Sequence, residues 1–224
     1  LSKRGVKEII FVAQDTTAHP KFTALLQKTS KIKKIRWIRI MYTHPKHITP
    51  KLIKFMAKNK KICKYLDLPL QHIYNDVLRR MGREVSRQYI ENLIKELRRQ
   101  IKGLAIRTSF IVGFPGESKE AFRELACFVE KEKFERLGVF TYSREAGTPA
   151  ANMRGQVSEK VKRFRFQKIM ALQKKISLEM NRKLIGNIVE VLLEKKSGKS
   201  FIGRIYMDAQ DVDCSVEVLN LGLG

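Results

Sequence analysis

Short apolar runs rich in β-branched residues alternate with segments of helical period, and few folds accommodate that alternation. The runs are 8–13 (EIIFVA), 37–42 (WIRIMY), 65–68 (YLDL), 106–112 (IRTSFIV) and 137–142 (LGVFTY). Near-continuous apolar runs of this length fit strands covered on both faces, as in a parallel sheet. Between them, Ile90, Leu93, Leu97 and Ile101 recur at helical spacing after Ser86. Phe122, Leu125 and Val129 do so after Ser118, which is placed as an N-cap. Pro50 opens a further helix through Leu52, Ile53 and Met56. Repeated strand–helix units imply right-handed crossovers around a parallel sheet or barrel.

In that architecture chemistry gathers where the strands end. The segments following the five runs are Gln14-Asp15-Thr16-Thr17, Thr43-His44-Pro45, Pro69-Leu70-Gln71-His72, Gly113-Phe114-Pro115-Gly116-Glu117 and Ser143-Arg144-Glu145-Ala146-Gly147-Thr148. All five are polar, turn-forming or Gly-rich, so a ring of polar groups around one mouth is expected.

Past Pro149 the pattern changes. Ser158 opens a long helix carrying Ile169, Leu172, Ile176 and Met180, ending near Gly186. Short runs at 188–193, 201–206 and 216–219, with a Ser197-Gly198-Lys199 turn, read as a small antiparallel β-domain. The chain divides into residues 1–184 and 185–224.

Charge narrows the class of partner. Forty-six Lys and Arg against 22 Asp and Glu give +24 over 224 residues. That suits work near polyanions such as RNA or a ribonucleoprotein surface, or else a Lys-rich solvated exterior. No run approaches the roughly 20 apolar residues of a membrane span, and the opening residues do not read as a signal peptide. Cys63, Cys127 and Cys214 lie far apart, which favours a reducing, cytoplasmic setting over a disulfide framework or a cysteine metal site.

The local motifs each have two readings. Gly113-Phe114-Pro115-Gly116 could let backbone approach a flat ligand, or be a plain turn ending in the Ser118 cap. Arg107, a charge in an apolar strand, could meet a ligand carboxylate inside the barrel or pair with a nearby acid. Asp15 could meet a ligand ammonium or hydroxyl, or form an Asx turn with Thr17. His72 is a strand-end histidine of the kind more often structural than catalytic. His44 and His47 have no further ligand at metal-like spacing, so no metal-binding residue is expected. The chain shows no P-loop, no GxGxxG and no Ser/His/Asp order.

Four ordered strings nevertheless resemble one family: Val12-Ala13-Gln14-Asp15-Thr16-Thr17, Tyr65-Leu66-Asp67-Leu68-Pro69-Leu70-Gln71-His72, the segment 107–117 and the segment 137–150. They are similar to the radical S-adenosylmethionine methylthiotransferases. Gln-Asp-Thr and Pro-Leu-Gln-His stand closer to the ribosomal-protein branch, RimO, than to the tRNA branch, MiaB. Segment 203–213 resembles the RimO form of the terminal TRAM module. The resemblance implies an α/β fold: a partial parallel (β/α)6 half-barrel followed by a small antiparallel β-barrel-like TRAM module. It also implies S-adenosylmethionine and two [4Fe–4S] clusters in the full-length parent. The chemistry implied is hydrogen abstraction from the β-carbon of an aspartate on a small-subunit ribosomal protein, then attachment of a methylthio group.

The family's CxxxCxxC loop is absent here, so this stretch is expected to be a fragment lacking the first strand, the cluster ligands and part of TRAM, and to be inactive alone. The resemblance also implies site roles. Gln14 and Asp15 would contact the methionine amino end or line the mouth, and Gln71 and His72 would lie near ribose or substrate. Arg107 would pair with the methionine carboxylate. Gly113, Phe114, Glu117 and Phe140 would frame adenine, and Tyr142 would line the same mouth. RNA contact through TRAM and the basic surface is the further partner. The alternatives are tRNA adenosine methylthiotransfer and a non-catalytic RNA-binding module.

Overall fold

The computed structural model describes residues 2–219. Five strands run parallel: β1 (Glu8–Phe11), β2 (Trp37–Ile40), β3 (Tyr65–Asp67), β4 (Ala105–Val112) and β5 (Arg136–Thr141). β1 pairs with β2, and β3, β4 and β5 pair in that order. An isolated parallel bridge, Ile38 to Ile62, joins the two groups. Neighbours in space are therefore neighbours in sequence, as expected of consecutive right-handed βα units.

The crossovers carry α1 (Phe22–Ser30), α2 (Pro50–Lys58), α3 (Asn75–Arg80), α4 (Arg87–Gln100) and α5 (Lys119–Glu132). α2 has Pro50 in its first turn and the Thr49 hydroxyl accepting from Leu52 N–H. Ser86 caps α4 through Tyr89 N–H, and Ser118 caps α5 through Ala121 N–H. The outward faces of the strands (Ile38, Ile40, Leu66, Ile106, Phe110, Val112) pack with Leu52, Met56, Ile90, Leu97, Leu125 and Phe128 in the main core. Each such side chain contributes roughly 1.5–3 kcal/mol.

α6 (Glu159–Arg182) lies against β5 and α5, with Ile169 and Ile176 buried as its spacing predicts. Beyond it β6 (Leu192–Ser197), β7 (Ser200–Arg204) and β8 (Val216–Leu219) form an antiparallel sheet. β6 begins four residues later than the apolar run at 188–193 suggests. The two-residue Gly198-Lys199 turn sets the register by pairing Ser197 with Ser200, and that carries the strand through polar Glu194-Lys195-Lys196. No helix among the described residues is long and apolar enough to cross a membrane.

Candidate functional site

Side chains alternate across the sheet, so every second residue points to its concave inner face. At the amino-terminal ends of the strands that face is filled with ion pairs. Glu8 accepts from Arg39 Nε at 2.8 Å and pairs with Arg204 at 2.6 Å. Arg136 pairs with Asp208 at 2.6 Å. Arg107 Nη1 lies 2.9 Å from Asp67 Oδ1, and its Nε lies 3.5 Å from Asp213 Oδ1. Tyr65 donates to Asp213 Oδ2 at 2.8 Å, and burial, then the adjoining carboxylates, raise its phenol pKa. Residues 204–213 thus close this end of the barrel from below.

Arg107 is shared between two acids of the chain. It is the third residue of β4, in register with Asp67. The pairing with an acid of the chain is thus realised.

The carboxyl-terminal ends are open. Val12 is 62% exposed, Phe140 57% and Tyr42 45%. Large apolar side chains left exposed where strands end are available to a ligand or partner. Tyr42 and Gln71 have positive φ (52° and 68°), strained for non-glycine residues, and both sit where a strand leaves the sheet. Gln71 is held by donating N–H to Ser109 and accepting from Ile111 N–H. Beside it is a cavity of about 480 Å³, whose wall includes Gln71, Ile111, Phe114, Arg80, Arg83 and Met153. Gln14 is exposed at the end of β1.

The Gly113–Glu117 turn forms one edge of that cavity. Gly113 and Gly116 take φ of 75° and 85°. A Cβ on Gly113 would stand 2.3 Å from Lys162 Cγ, and one on Gly116 2.9 Å from the Arg80 guanidinium. Here glycine is required twice over, by conformation and by contact. Phe114 packs edge-on to Tyr142, with centroids 5.1 Å apart, and the Lys162 ammonium sits over the Tyr142 ring.

His72 and Glu117 are buried beside the Gly113–Glu117 turn. His72 Nδ1 accepts from Tyr74 N–H, which leaves the Nε2 proton facing Glu117 Oε1 at 3.4 Å. Glu117 Oε2 accepts from Gly113 N–H and lies 2.8 Å from Arg165 Nη1, which also donates to the Glu117 carbonyl at 3.0 Å. They hold the turn and touch no open space. Arg165 was missed by sequence reasoning. It stands four residues before Ile169 on the buried stripe of α6, and a charge on that stripe is the signal that finds it.

Asp15 realises its Asx-turn reading: Oδ1 accepts from Thr17 N–H, Thr17 Oγ1 and Ala18 N–H. Burial works to raise its pKa, but hydrogen bonds from His47 and Thr17 outweigh that and hold it below the usual value.

Residues 1–129 match the model of the radical SAM superfamily. The chain belongs to that superfamily. Over 229 residues it is 46% identical to the ribosomal protein uS12 methylthiotransferase RimO of Alkaliphilus oremlandii, covering 98% of this chain and 52% of that protein. To RimO of Pelotomaculum thermopropionicum it is 49% identical over 226 residues, covering 96% of this chain and 51% of that one. It spans about half the length of the curated relatives it matches. Among solved structures, Escherichia coli coproporphyrinogen III oxidase (HemN), a radical SAM enzyme, superposes with a TM-score of 0.57 at 16% identity, covering 90% of this chain and 52% of that one. The radical SAM methyltransferase TsrM of Kitasatospora setae gives 0.53 at 15%, covering 65% and 29%.

Superfamily membership implies S-adenosylmethionine and a [4Fe–4S] cluster as cofactors. The cavity suits the first: a largely apolar wall, guanidiniums at Arg80 and Arg83, and an Arg83 Nε that is buried with no partner among the described residues. It does not suit the second, since a cluster requires clustered thiolates. Cys63 is buried, Cys127 is on α5 and Cys214 lies near the opposite end of the barrel.

Proposed function

We propose that this chain forms the barrel of a RimO-type enzyme that methylthiolates an aspartate of ribosomal protein uS12. The observation that carries the reading is the open apolar mouth at the carboxyl ends of five parallel strands, bearing the Gly113–Glu117 turn and the Gln71 corner. S-adenosylmethionine, when bound, supplies the radical chemistry.

The protein's own part is binding, orientation and exclusion of water. Phe140 and Phe114 offer apolar faces to adenine, with Tyr142 behind Phe114 and its hydroxyl free to donate. Gly113 brings backbone to the ligand edge. Gln14, Gln71 and Asp15 form the polar rim that meets ribose and the methionine amino end. Arg80 and Arg83 are the cations lining the cavity and take the carboxylate role first given to Arg107. His72 and Glu117 are positioning residues acting through the turn. Cys63, Cys127 and Cys214 are not assigned as cluster ligands, and two clusters are the expected number.

β6–β8, with the segment 205–215 between β7 and β8, are read as a TRAM-type module whose basic surface contacts ribosomal RNA, in the cytoplasm. The test is mass spectrometry of uS12 from cells lacking the gene and complemented with it. One methylthio group replacing one hydrogen on a single aspartate is expected. Unmodified uS12 with methylthiolated tRNA would overturn the reading in favour of the tRNA branch.

A further inference from the structure

One cluster of side chains at the rim has the composition of a metal site. Asp15 follows β1, while His44 and His47 flank the short turn Pro45–His47 that follows β2. One oxygen of Asp15 and one ring nitrogen of each histidine lie within 4.8 Å of one another. Spacing could not show this, because Asp15 stands 32 residues before His47. The parallel β1–β2 pairing sets the two strand ends side by side.

The groups are only partly committed to one another. Asp15 Oδ1 caps its own turn, and Oδ2 meets His47 Nδ1 at 2.6 Å. His44 Nδ1 accepts a long 3.2 Å bond from Lys46 N–H in an exposed turn, one that water can replace. The facing charges are partly offset: Lys46 pairs with Glu84, and Arg83 donates to the Pro69 carbonyl at 2.8 Å.

We propose that Asp15, His44 and His47 form a binding site for a borderline divalent transition cation, of which zinc is the probe, at the rim of the barrel mouth. One carboxylate and two imidazoles are a common N/O donor set for such an ion, with positions left for water. Coordination through His47 Nδ1 leaves its remaining ring proton on Nε2.

The test is calorimetric titration of zinc chloride into the untagged chain, with Cys127 and Cys214 changed to Ser to remove the exposed thiols. One zinc per chain with micromolar or tighter affinity is expected. H44A and H47A should each weaken it by about tenfold or more, a loss that outer-shell changes alone can reach. H19N, on the neighbouring turn, should leave it unchanged. Circular dichroism confirms that the variants are folded. If D15N disturbs its turn, the two histidine variants carry the decision. Absence of saturable one-to-one binding, or a site that survives both histidine changes, overturns the proposal. No S-adenosylmethionine or cluster enters the readout, so the outcome is independent of the methylthiotransferase reading.

Discussion

Glu117→Ala tests whether the Gly113–Glu117 turn is held by a buried charge pair. The carboxylate has three partners: Arg165 at 2.8 Å, Gly113 N–H, and His72 Nε2 at 3.4 Å. Removing it leaves the Arg165 guanidinium, whose side chain is 6% exposed, with only the Glu117 carbonyl. Breaking a buried pair by deleting one member costs about 3–5 kcal/mol. Domains of this size are stable by roughly 5–15 kcal/mol, so the loss should be plain. Urea unfolding should show a lower midpoint at unchanged slope. Arg165→Met should cost a similar amount. The double variant E117L/R165M should recover most of either loss, because no uncompensated charge remains, less about 1–3 kcal/mol for the unpartnered Gly113 N–H. A single-variant loss under about 1 kcal/mol, or a double-variant loss equal to the sum of the singles, would refute the reasoning.

Gly113→Ala should destabilise by about 1–3 kcal/mol through its left-handed backbone and the Lys162 contact, with K162A relieving only the steric part in a thermal melt. Arg107→Ala should lower stability by about 3–5 kcal/mol in the same assay, by leaving Asp67 buried without its cation; unchanged stability would restore Arg107 as a ligand contact. In the folded chain a disulfide reagent should modify Cys127 and Cys214 but not Cys63, which is buried with its thiol pKa pushed up to about 12. Equal reactivity of all three would count against the core as described. Asp15 has a depressed pKa, so its contribution to stability is present above the unfolded carboxyl value of 3.8 and is lost as pH falls through the folded one. The destabilisation caused by D15N should therefore shrink in acid denaturation below that pH.

The strand–helix rhythm and the caps were legible because they are local. Ser86, Ser118 and Pro50 mark helix starts whose chemistry is complete within four residues. α1 was missed: Lys21 at its start makes no side-chain cap, so nothing in the sequence announces it. At the mouth, Gly113 and Phe114 could be placed because the turn dictates its own glycines. The burial of His72 could not, since the positive φ at Gln71 redirects the residue that follows it. Arg107 was rightly read as needing a partner, but Asp67 and Asp213 are 40 residues and more away in sequence. The Asp15, His44 and His47 cluster was hidden for the same reason.

The account rests on adenosyl binding at the barrel mouth, and a photolabel reads that directly. An azidoadenosyl analogue of S-adenosylmethionine is irradiated with the cluster-loaded enzyme, and the adducts are mapped by peptide mass spectrometry. Label confined to peptides carrying Ile111, Phe114, Phe140 and Tyr142, and competed by unlabelled S-adenosylmethionine, is the predicted result. Competable label on α5 and α6, with none around the Gly113–Glu117 turn, would contradict it.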